Sequence, residues 1–226
     1  FIENKFVKNG DREKCFVVDG SGIDVDQVST QIQNYSTQFQ PLNCFRVGIA
    51  SRLLKSKGLD IFIEVAKEIY NIDPSIEFWV AGRVDSSNAE SYSERDIQDW
   101  VNIENLRYIG WSKDICSFLS QISVYFYPSR YGEGIPRSCL EALAAGKPIV
   151  CSNSVGTKEV VVHGRNGYLI DPLDVRAAVD AILALKRNRV LFQEFSRESV
   201  NLARRRFEIK KINEEMSRII LGVDTI

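Results

Sequence analysis

The chain has 226 residues, 44% of them hydrophobic and 26% charged, which is typical of a soluble globular protein and long enough for one large α/β domain. Its 29 basic and 30 acidic residues give a formal net charge of -1, so the overall charge favours neither a nucleic-acid partner nor an anionic membrane. The five cysteines lack Cys-x-x-Cys spacing, which favours reduced thiols in a cytoplasmic protein over a disulfide framework or a zinc site. Any bound anion must therefore be held by a local arrangement of groups.

The first 43 residues differ in pattern from the rest of the chain. Residues 14–22 (KCFVVDGSG) predict one strand, whereas residues 29–43 (STQIQNYSTQFQPLN) are polar and turn-rich and indicate a lead-in or linker. From residue 44 onward, short apolar runs alternate with stretches of helical periodicity. Strands separated by helices predict an α/β fold with a largely parallel sheet and helices on both faces.

The predicted elements follow one another in regular alternation. The apolar runs predict strands at 44–50, 76–82, 106–110, 124–129, 147–152 and 168–170. Helical spacing predicts helices near 59–70, 115–121, 175–185, 189–205 and 209–220, with one more after Pro136. The polar stretch 85–101 predicts a loop with a short exposed helix.

Basic and glycine residues follow most of the predicted strands, at the edge where open parallel sheets bind ligands. Arginine and lysine suit phosphate, and glycine lets the backbone approach a ligand closely. These loops predict a phosphorylated ligand, although α/β loops are in general polar and rich in glycine. The residues concerned are Arg52, Lys55, Lys57, Gly58, Gly82, Arg83, Gly110, Trp111, Lys113, Ser152, Asn153, Gly156, Thr157 and Glu159.

The stretch 129–146 (SRYGEGIPRSCLEALAAG) places two acids around a Gly-x-Pro turn. Pro136 suits the first turn of a helix, which would leave the N–H groups of residues 137–139 free to meet an anion. Glu133 lies before this helix, and Glu141 lies about 7.5 Å further along its axis than Pro136 at 1.5 Å per residue. The two carboxylates are therefore predicted to hold two parts of an extended ligand rather than to share one proton-transfer step.

Three segments resemble one protein family. Residues 133–141 (EGIPRSCLE) resemble the E-x7-E motif of the group 1 family of retaining, nucleotide-sugar-dependent glycosyltransferases with the GT-B fold. Residues 50–58 (ASRLLKSKG) resemble that family's G-R-L-x-x-x-K-G, with Ser51 in place of the usual glycine, and residues 153–170 resemble its G-x-x-E-x-x-x-x-G-x-x-G-x-L segment. The order and spacing match over residues 44–222.

The resemblance implies a fold and a set of roles. Residues 44–226 would form a Rossmann-like doubly wound parallel sheet with C-terminal helices, one half of a GT-B fold. The implied catalytic residues are Arg52 and Lys57, which would hold the donor diphosphate, and Glu133, which would contact the transferred sugar. Glu141 would bind the ribose hydroxyls. The other implied binding residues are Gly134, Ile135, Pro136, Arg137 and Ser138 near the phosphate and sugar, and Tyr108, Ile109 and Gly110 near the base.

The resemblance also implies the function of the longer enzyme. Its donor would be a nucleotide sugar, with a UDP-hexose favoured over a GDP-sugar, and neither a cofactor nor a metal is expected. The acceptor would be a saccharide or a lipid-linked saccharide in polysaccharide biosynthesis, in the cytoplasm or at the inner face of the membrane. Residues 1–43 resemble the crossover from an N-terminal acceptor domain, which is expected to be missing here. The chain alone is therefore expected to bind the donor weakly and to transfer nothing.

Two alternatives remain open at this point. A sugar-nucleotide epimerase of the same fold would share the basic and glycine residues that hold phosphate, but it needs further acid and base groups. A non-catalytic nucleotide-binding module would need only the phosphate-holding residues.

Four other features have ordinary explanations. Asp24-Val25-Asp26 matches the metal-binding D-x-D pattern, but its position after Gly-Ser-Gly favours a turn and a helix cap. His163 has no partner at ligand spacing and indicates a surface loop residue. The run 204–206 of three arginines indicates solvated charges or favourable helix-dipole placement, with a membrane headgroup as the less favoured contact. The apolar stripe over 209–220 indicates core packing, part of which would be exposed if it crosses back to another domain.

Overall fold

The computed structural model describes residue 16, residues 18–38 and residues 44–221, and it contains one parallel sheet of six strands in the order β3-β2-β1-β4-β5-β6. The strands are β1 (Phe45–Ala50), β2 (Ile76–Ala81), β3 (Leu106–Gly110), β4 (Val124–Tyr127), β5 (Ile149–Ser152) and β6 (Gly167–Ile170). The helices are α1 (Val25–Gln38), α2 (Leu59–Ile72), α3 (Glu94–Trp100), α4 (Ile115–Ser120), α5 (Arg137–Ala144), α6 (Val175–Arg187), α7 (Arg189–Arg206) and α8 (Ile209–Leu221). The prediction of an α/β fold with a Rossmann-like doubly wound parallel sheet is confirmed.

The sheet is sandwiched between two groups of helices. β4 and β5 are buried along their whole length, as expected for parallel strands that are covered on both faces. α2 packs against α6 in one group, and α1, α4, α5 and α7 pack against one another in the other. The strand order reverses between β1 and β4, so the loops that follow these two strands diverge and leave a crevice at the carboxyl edge of the sheet.

Side-chain caps define where several helices begin. The Asp114 carboxylate accepts from the first N–H groups of α4, and Asp174 and Asn188 do the same for α6 and α7. Ser93 and Asp96 form a reciprocal capping box at α3. Although α3 comes from the polar stretch predicted to be exposed, its Ile97 and Trp100 are buried, so the helix is anchored to the core.

The N-terminal segment differs from its prediction. Residues 29–38, predicted as part of a turn-rich linker, lie in α1, because Val25 and Val28 supply a buried anchor that packs this helix on α4 and α5. Residues 39–43 lie outside the described residues. The predicted strand at 14–22 is not observed at residue 16 or at 18–22, which include a turn, while residues 14, 15 and 17 also lie outside the described residues. The assignment of residues 1–43 to an interdomain crossover stays a prediction.

The apolar stripe on α8 contributes little to the core. Ile212 is its buried residue, whereas Met216, Ile220 and Leu221 are exposed. The prediction that part of the stripe is exposed is confirmed, and the prediction of core packing holds for Ile212. In the part of the chain that the structure describes, no helix is both long enough and apolar enough to cross a membrane.

Aromatic packing between α2 and the sheet should dominate the stability of the fold. Phe62 is fully buried and contacts the rings of Phe78 and Phe126 at centroid distances of 5.3 and 5.6 Å. We expect Phe62→Ala to lower the free energy of unfolding by about 3–5 kcal/mol, because it removes these contacts and leaves a cavity. Ile72→Ala, at the exposed end of the same helix, should cost only about 0.5 kcal/mol. Equal losses for both variants in urea unfolding would contradict this account.

Candidate functional site

A cavity of about 270 Å³ opens at the carboxyl edge of the sheet, where the strand order reverses. It is bounded by the ends of β1 and β2, by the loop after β3 and by α5. This is the position at which open α/β sheets bind ligands. The lining residues are Ala50, Ser51, Arg52, Ala81, Gly82, Arg83, Trp111, Ser112, Ile115, Ser138 and Glu141.

Arg52 and Glu141 bring opposite charges to this cavity. The Arg52 side chain is 60% exposed and lies 3.9 Å from the Asp85 carboxylate, so its guanidinium remains available to a ligand. Glu141 is largely buried and accepts a hydrogen bond of 3.1 Å from Arg137 one turn earlier on α5. Burial raises the pKa of Glu141, and Arg137 partly opposes the shift.

Lys57 and Glu133 meet beside the cavity rather than lining it. The Lys57 ammonium donates to Oε1 of Glu133 over 2.6 Å, and the Lys57 side chain is only 7% exposed. Lys57 belongs to a short 3-10 helix, Lys55–Lys57, in the loop after β1, and Glu133 belongs to the loop after β4. The structure thus brings together two residues that are 76 positions apart in the sequence.

Two glycines with positive φ shape these loops. Gly58 has a φ of 75°, and a Cβ atom there would lie 2.0 Å from the carbonyl oxygen of Pro128, so the Lys57 loop can press directly on the end of β4. Gly156 has a φ of 86°, and a Cβ atom there would lie 2.2 Å from the carbonyl oxygen of Glu133. The loop that carries Glu133 therefore rests on a surface that only glycine provides.

The start of α5 differs from its prediction in two details. Pro136 is the N-cap, with a ψ of 126°, rather than a residue of the first turn. The Cys139 N–H donates to the Pro136 carbonyl over 3.0 Å, so it is not free for an anion. Among the described residues the Arg137 and Ser138 N–H groups have no backbone acceptor, which leaves two of the three predicted donors.

The remaining predicted residues lie around the cavity without lining it. Gly134 has open space at its Cβ position, and a Cβ atom added at Gly20 would lie 3.5 Å from the Ile135 side chain. The Tyr108 hydroxyl donates to the Gly82 carbonyl over 2.9 Å, and its ring contacts Trp100, so this side chain supports the loop after β2. Ile109 is exposed, and Gly110 has a φ of 78° at the end of β3.

Some site residues have no counterpart among the residues predicted as a site. Arg83 and Trp111 belong to the loop set that predicts a phosphorylated ligand but have no individual role there; both line the cavity, with the Arg83 guanidinium carbon 5.4 Å from the Trp111 ring centroid. Tyr127 was missed altogether, and its hydroxyl donates to Oε1 of Glu133 over 3.1 Å. Its position at the end of a buried strand, just before Pro128, could have indicated a site residue. A polar group there lies at the carboxyl edge of the sheet, where ligands bind.

The other conspicuous sequence features have structural roles. Asp24 caps α1 by accepting from the Gln27 N–H over 2.8 Å, which confirms its interpretation as a cap. His163 Nδ1 accepts from the Leu169 N–H over 3.1 Å, which ties its loop to β6, and His163 is not among the residues that line the cavity. Within the described ranges, no three histidine, cysteine or acidic residues cluster as metal ligands do.

The run of three arginines is engaged in ion pairs. Arg204 pairs with Asp26 at 3.1 Å, Arg205 lies 4.0 Å from Glu198, and Arg206 pairs with Asp19 at 2.8 Å. The pairs of Arg204 and Arg206 link the end of α7 to the N-terminal segment, so these two arginines have a structural role that does not require a membrane headgroup.

Substitution at Gly156 should separate loop geometry from general stability. Gly156→Ala places a side chain at a positive φ of 86° and also drives a methyl group into the Glu133 carbonyl. Gly164→Ala is the control, because it too has a positive φ, of 74°, while its Cβ position has no heavy atom within 4 Å. We expect Gly156→Ala to shift the backbone signals of residues 131–136 in an NMR spectrum and Gly164→Ala to leave them in place. Equal shifts in both variants would contradict the steric account.

The comparisons with known proteins identify a family for this chain. A family model described as glycosyl transferases group 1 matches residues 37–205. The chain is 25% identical over 172 residues to the capsular polysaccharide biosynthesis glycosyltransferase CapM of Staphylococcus aureus, a match that covers 76% of this chain and 44% of that protein. It is 28% identical over 178 residues to the Escherichia coli UDP-Gal:alpha-D-GlcNAc-diphosphoundecaprenol alpha-1,3-galactosyltransferase, covering 76% of this chain and 45% of that protein.

A solved structure shows the same fold. The crystal structure of HepE from Anabaena in complex with UDP superposes with a TM-score of 0.78 at 22% identity, covering 89% of this chain and 56% of that chain. The matched part of the chain spans less than half the length of the two curated relatives. Because the family model covers most of the sequence and the sheet has the matching fold, the chain belongs to the group 1 glycosyl transferases.

Proposed function

We propose that this chain is the donor-binding part of a retaining glycosyltransferase that takes a hexose from a UDP-sugar. The observation that carries the proposal is the cavity at the switch point, where Arg52 and Glu141 face a common space. The relatives supply support of a different kind, because one is named for UDP-Gal and the similar HepE structure contains UDP.

The diphosphate would lie between Arg52 and the start of α5. Arg52 offers an exposed guanidinium, and the Arg137 and Ser138 N–H groups point from the positive end of a helix. Ser138 also lines the cavity, which places this helix end within reach of the same ligand. These groups would make the site locally positive, so it could hold a diphosphate although the net charge of the chain is -1.

The nucleoside would occupy the part of the cavity bounded by Glu141, Arg83 and Trp111. The Glu141 carboxylate is an acceptor that suits ribose hydroxyls, and the exposed Trp111 ring offers an apolar face to a base. Residues 108–110 do not line this part of the cavity. Their proposed role is to hold the loops after β2 and β3 in place, through contacts such as the hydrogen bond from the Tyr108 hydroxyl to the Gly82 carbonyl.

The transferred sugar would lie near Glu133, with the diphosphate as leaving group. Glu133 is already paired with Lys57, which makes it a holder of sugar hydroxyls rather than a free general base. Charge that develops on the departing diphosphate would be offset by Arg52, by Lys57 and by the helix N–H groups. Catalysis would then depend on positioning and on leaving-group stabilisation, with the hexose transferred to a saccharide or lipid-linked acceptor at the cytoplasmic membrane face.

A binding experiment tests this assignment. We expect Arg52→Ala and Glu141→Ala each to weaken UDP binding about tenfold in calorimetric titration, because each loses a charge-assisted hydrogen bond. Arg176→Ala is the control, because this exposed arginine on α6 pairs only with Asp180 among the described residues. GDP, UDP-glucose, UDP-galactose and GDP-mannose complete the panel of ligands. Unchanged UDP affinity in both site variants would remove the proposed site.

The raised pKa of Glu141 makes binding sensitive to pH. Because burial raises this pKa, the carboxylate takes up its proton at a higher pH than an ordinary glutamate and loses an acceptor for the ribose. We expect the ratio of wild-type to Glu141→Gln affinity for UDP to be largest near neutral pH and to fall as the solution is acidified. The ratio corrects for titration of the UDP phosphates, which both proteins experience equally. A ratio that does not change as the solution is acidified would contradict the assignment of Glu141.

A further inference from the structure

A buried hydroxyl at the end of β4 reaches the loop that carries Glu133. Tyr127 is the last residue of β4 and is only 2% exposed. Its hydroxyl donates to Oε1 of Glu133 over 3.1 Å, and its ring centroid lies 5.9 Å from the Lys57 ammonium. Burial raises the pKa of Tyr127, so the hydroxyl keeps the proton that it donates.

Both donors to Glu133 act on the same oxygen. Lys57 and Tyr127 each hydrogen-bond to Oε1, while Oε2 has no protein donor among the described residues. The final torsion of a glutamate side chain is broad and two-fold, so one contact to one oxygen leaves the carboxylate plane poorly defined. Two donors from different directions define it, and they leave the acceptor sites of Oε2 for a ligand.

The neighbouring tyrosine shows that this contact is specific to Tyr127. The ring of Tyr125 stacks on that of Tyr127 at 6.1 Å, but its hydroxyl is taken up by the N–H and carbonyl groups of Ala50. The Tyr125 hydroxyl therefore joins β4 to β1, whereas the Tyr127 hydroxyl binds Glu133 in the loop after β4. Phenylalanine would fill the same space without the cost of burying a hydroxyl, so packing alone does not explain a tyrosine at position 127.

We propose that Tyr127 is a positioning residue that, together with Lys57, locks the Glu133 carboxylate so that Oε2 faces a hydroxyl of the donor sugar. This inference rests on the proposed function of the site and goes beyond it, because it assigns the orientation of Glu133 to a residue outside the ligand contacts. Tyr127 touches neither sugar nor phosphate in this account, and its effect passes through Glu133 alone.

The test is Tyr127→Phe, which keeps the buried ring and removes only the hydroxyl. The protein is titrated with UDP-glucose, UDP-galactose and UDP-N-acetylglucosamine, and the sugar that binds most tightly is kept. The measured quantity, called the sugar increment, is the affinity for that UDP-sugar divided by the affinity for UDP. We expect the increment to fall about fivefold, the size of one ordinary hydrogen bond, while UDP affinity stays unchanged. Tyr168→Phe, in a tyrosine on β6 away from the cavity, is the control and should keep the wild-type increment.

A double-mutant cycle with Glu133→Ala, which removes the acceptor of the Tyr127 hydroxyl, distinguishes positioning from a structural role. If Tyr127 acts through Glu133, adding Tyr127→Phe to Glu133→Ala should change the increment by less than about twofold. A fivefold loss that persists in that background, or an equal loss of UDP and UDP-sugar affinity, would overturn the inference. A wild-type protein that binds UDP with no increment for any sugar would overturn it as well.

A crystal structure of the Tyr127→Phe variant tests the inference without a ligand. We expect the Glu133 carboxylate to lose its single orientation and to occupy alternate rotamers. A carboxylate that keeps Oε1 on Lys57 in one orientation would overturn the inference whatever the binding data show. Failure of the wild-type protein to bind UDP would instead count against the proposed function, so the two failures are distinguishable.

Discussion

The candidate site depends on the hydrogen bonding of β1 to β4 at the centre of the sheet. Val47 pairs with Val124 and Gly48 with Tyr125, although the partners in each pair are 77 positions apart in the sequence. Because both strands end at the same edge, the loop with Arg52 and Lys57 lies beside the loop with Glu133. The ion pair between Lys57 and Glu133 is possible only with this strand order. A sheet ordered as the chain runs would separate these loops by the width of two more strands.

Around this strand pair, close backbone approach is as important as side-chain chemistry. Gly58 presses against the end of β4, and Gly156 supports the carbonyl of Glu133, so both neighbouring loops bear on the loop that carries the acid. The hydroxyl of buried Ser152, at the end of β5, donates to the carbonyl of buried Ser129 and so joins β5 to the loop after β4. A site built on such contacts is rigid before a ligand arrives, which is what binding by positioned charges requires.

The charges of the site are balanced locally, in a chain whose overall charge is nearly zero. Lys57 is buried and has Glu133 as its partner, whereas Arg52 is exposed and only loosely associated with Asp85. A buried cation without its partner carries a large desolvation penalty, so Lys57 and Glu133 stabilise each other's position. Arg52 has no such constraint, so its guanidinium is free to move toward an anionic ligand.

How much the sequence could predict depends on the range over which each feature is determined. Apolar runs, helical periods and the Gly-x-Pro turn are local, and they predicted the six strands and the helix that begins after Pro136 within a few residues. The motif spacing also located Arg52 and Glu141, which both line the cavity. The helix cap at Asp24 was predicted, but the length of α1 was not, and residues 29–38 were assigned to a linker. The polar residues of this helix hide a small apolar anchor, Val25 and Val28, which is buried by packing on α4 and α5.

The sequence by itself therefore determined the class of fold, the loops that carry the chemistry and the family. Only the tertiary structure decided that Lys57 contacts Glu133, that the Cys139 N–H is occupied by the Pro136 carbonyl, and that Tyr127 reaches the same carboxylate. Hydrophobic periodicity and motif spacing extend over a few residues, and they indicate which side of each helix or strand is buried. Contacts between the loops depend on strand order and on close approach at glycine, which join residues distant in the chain and have no local signature.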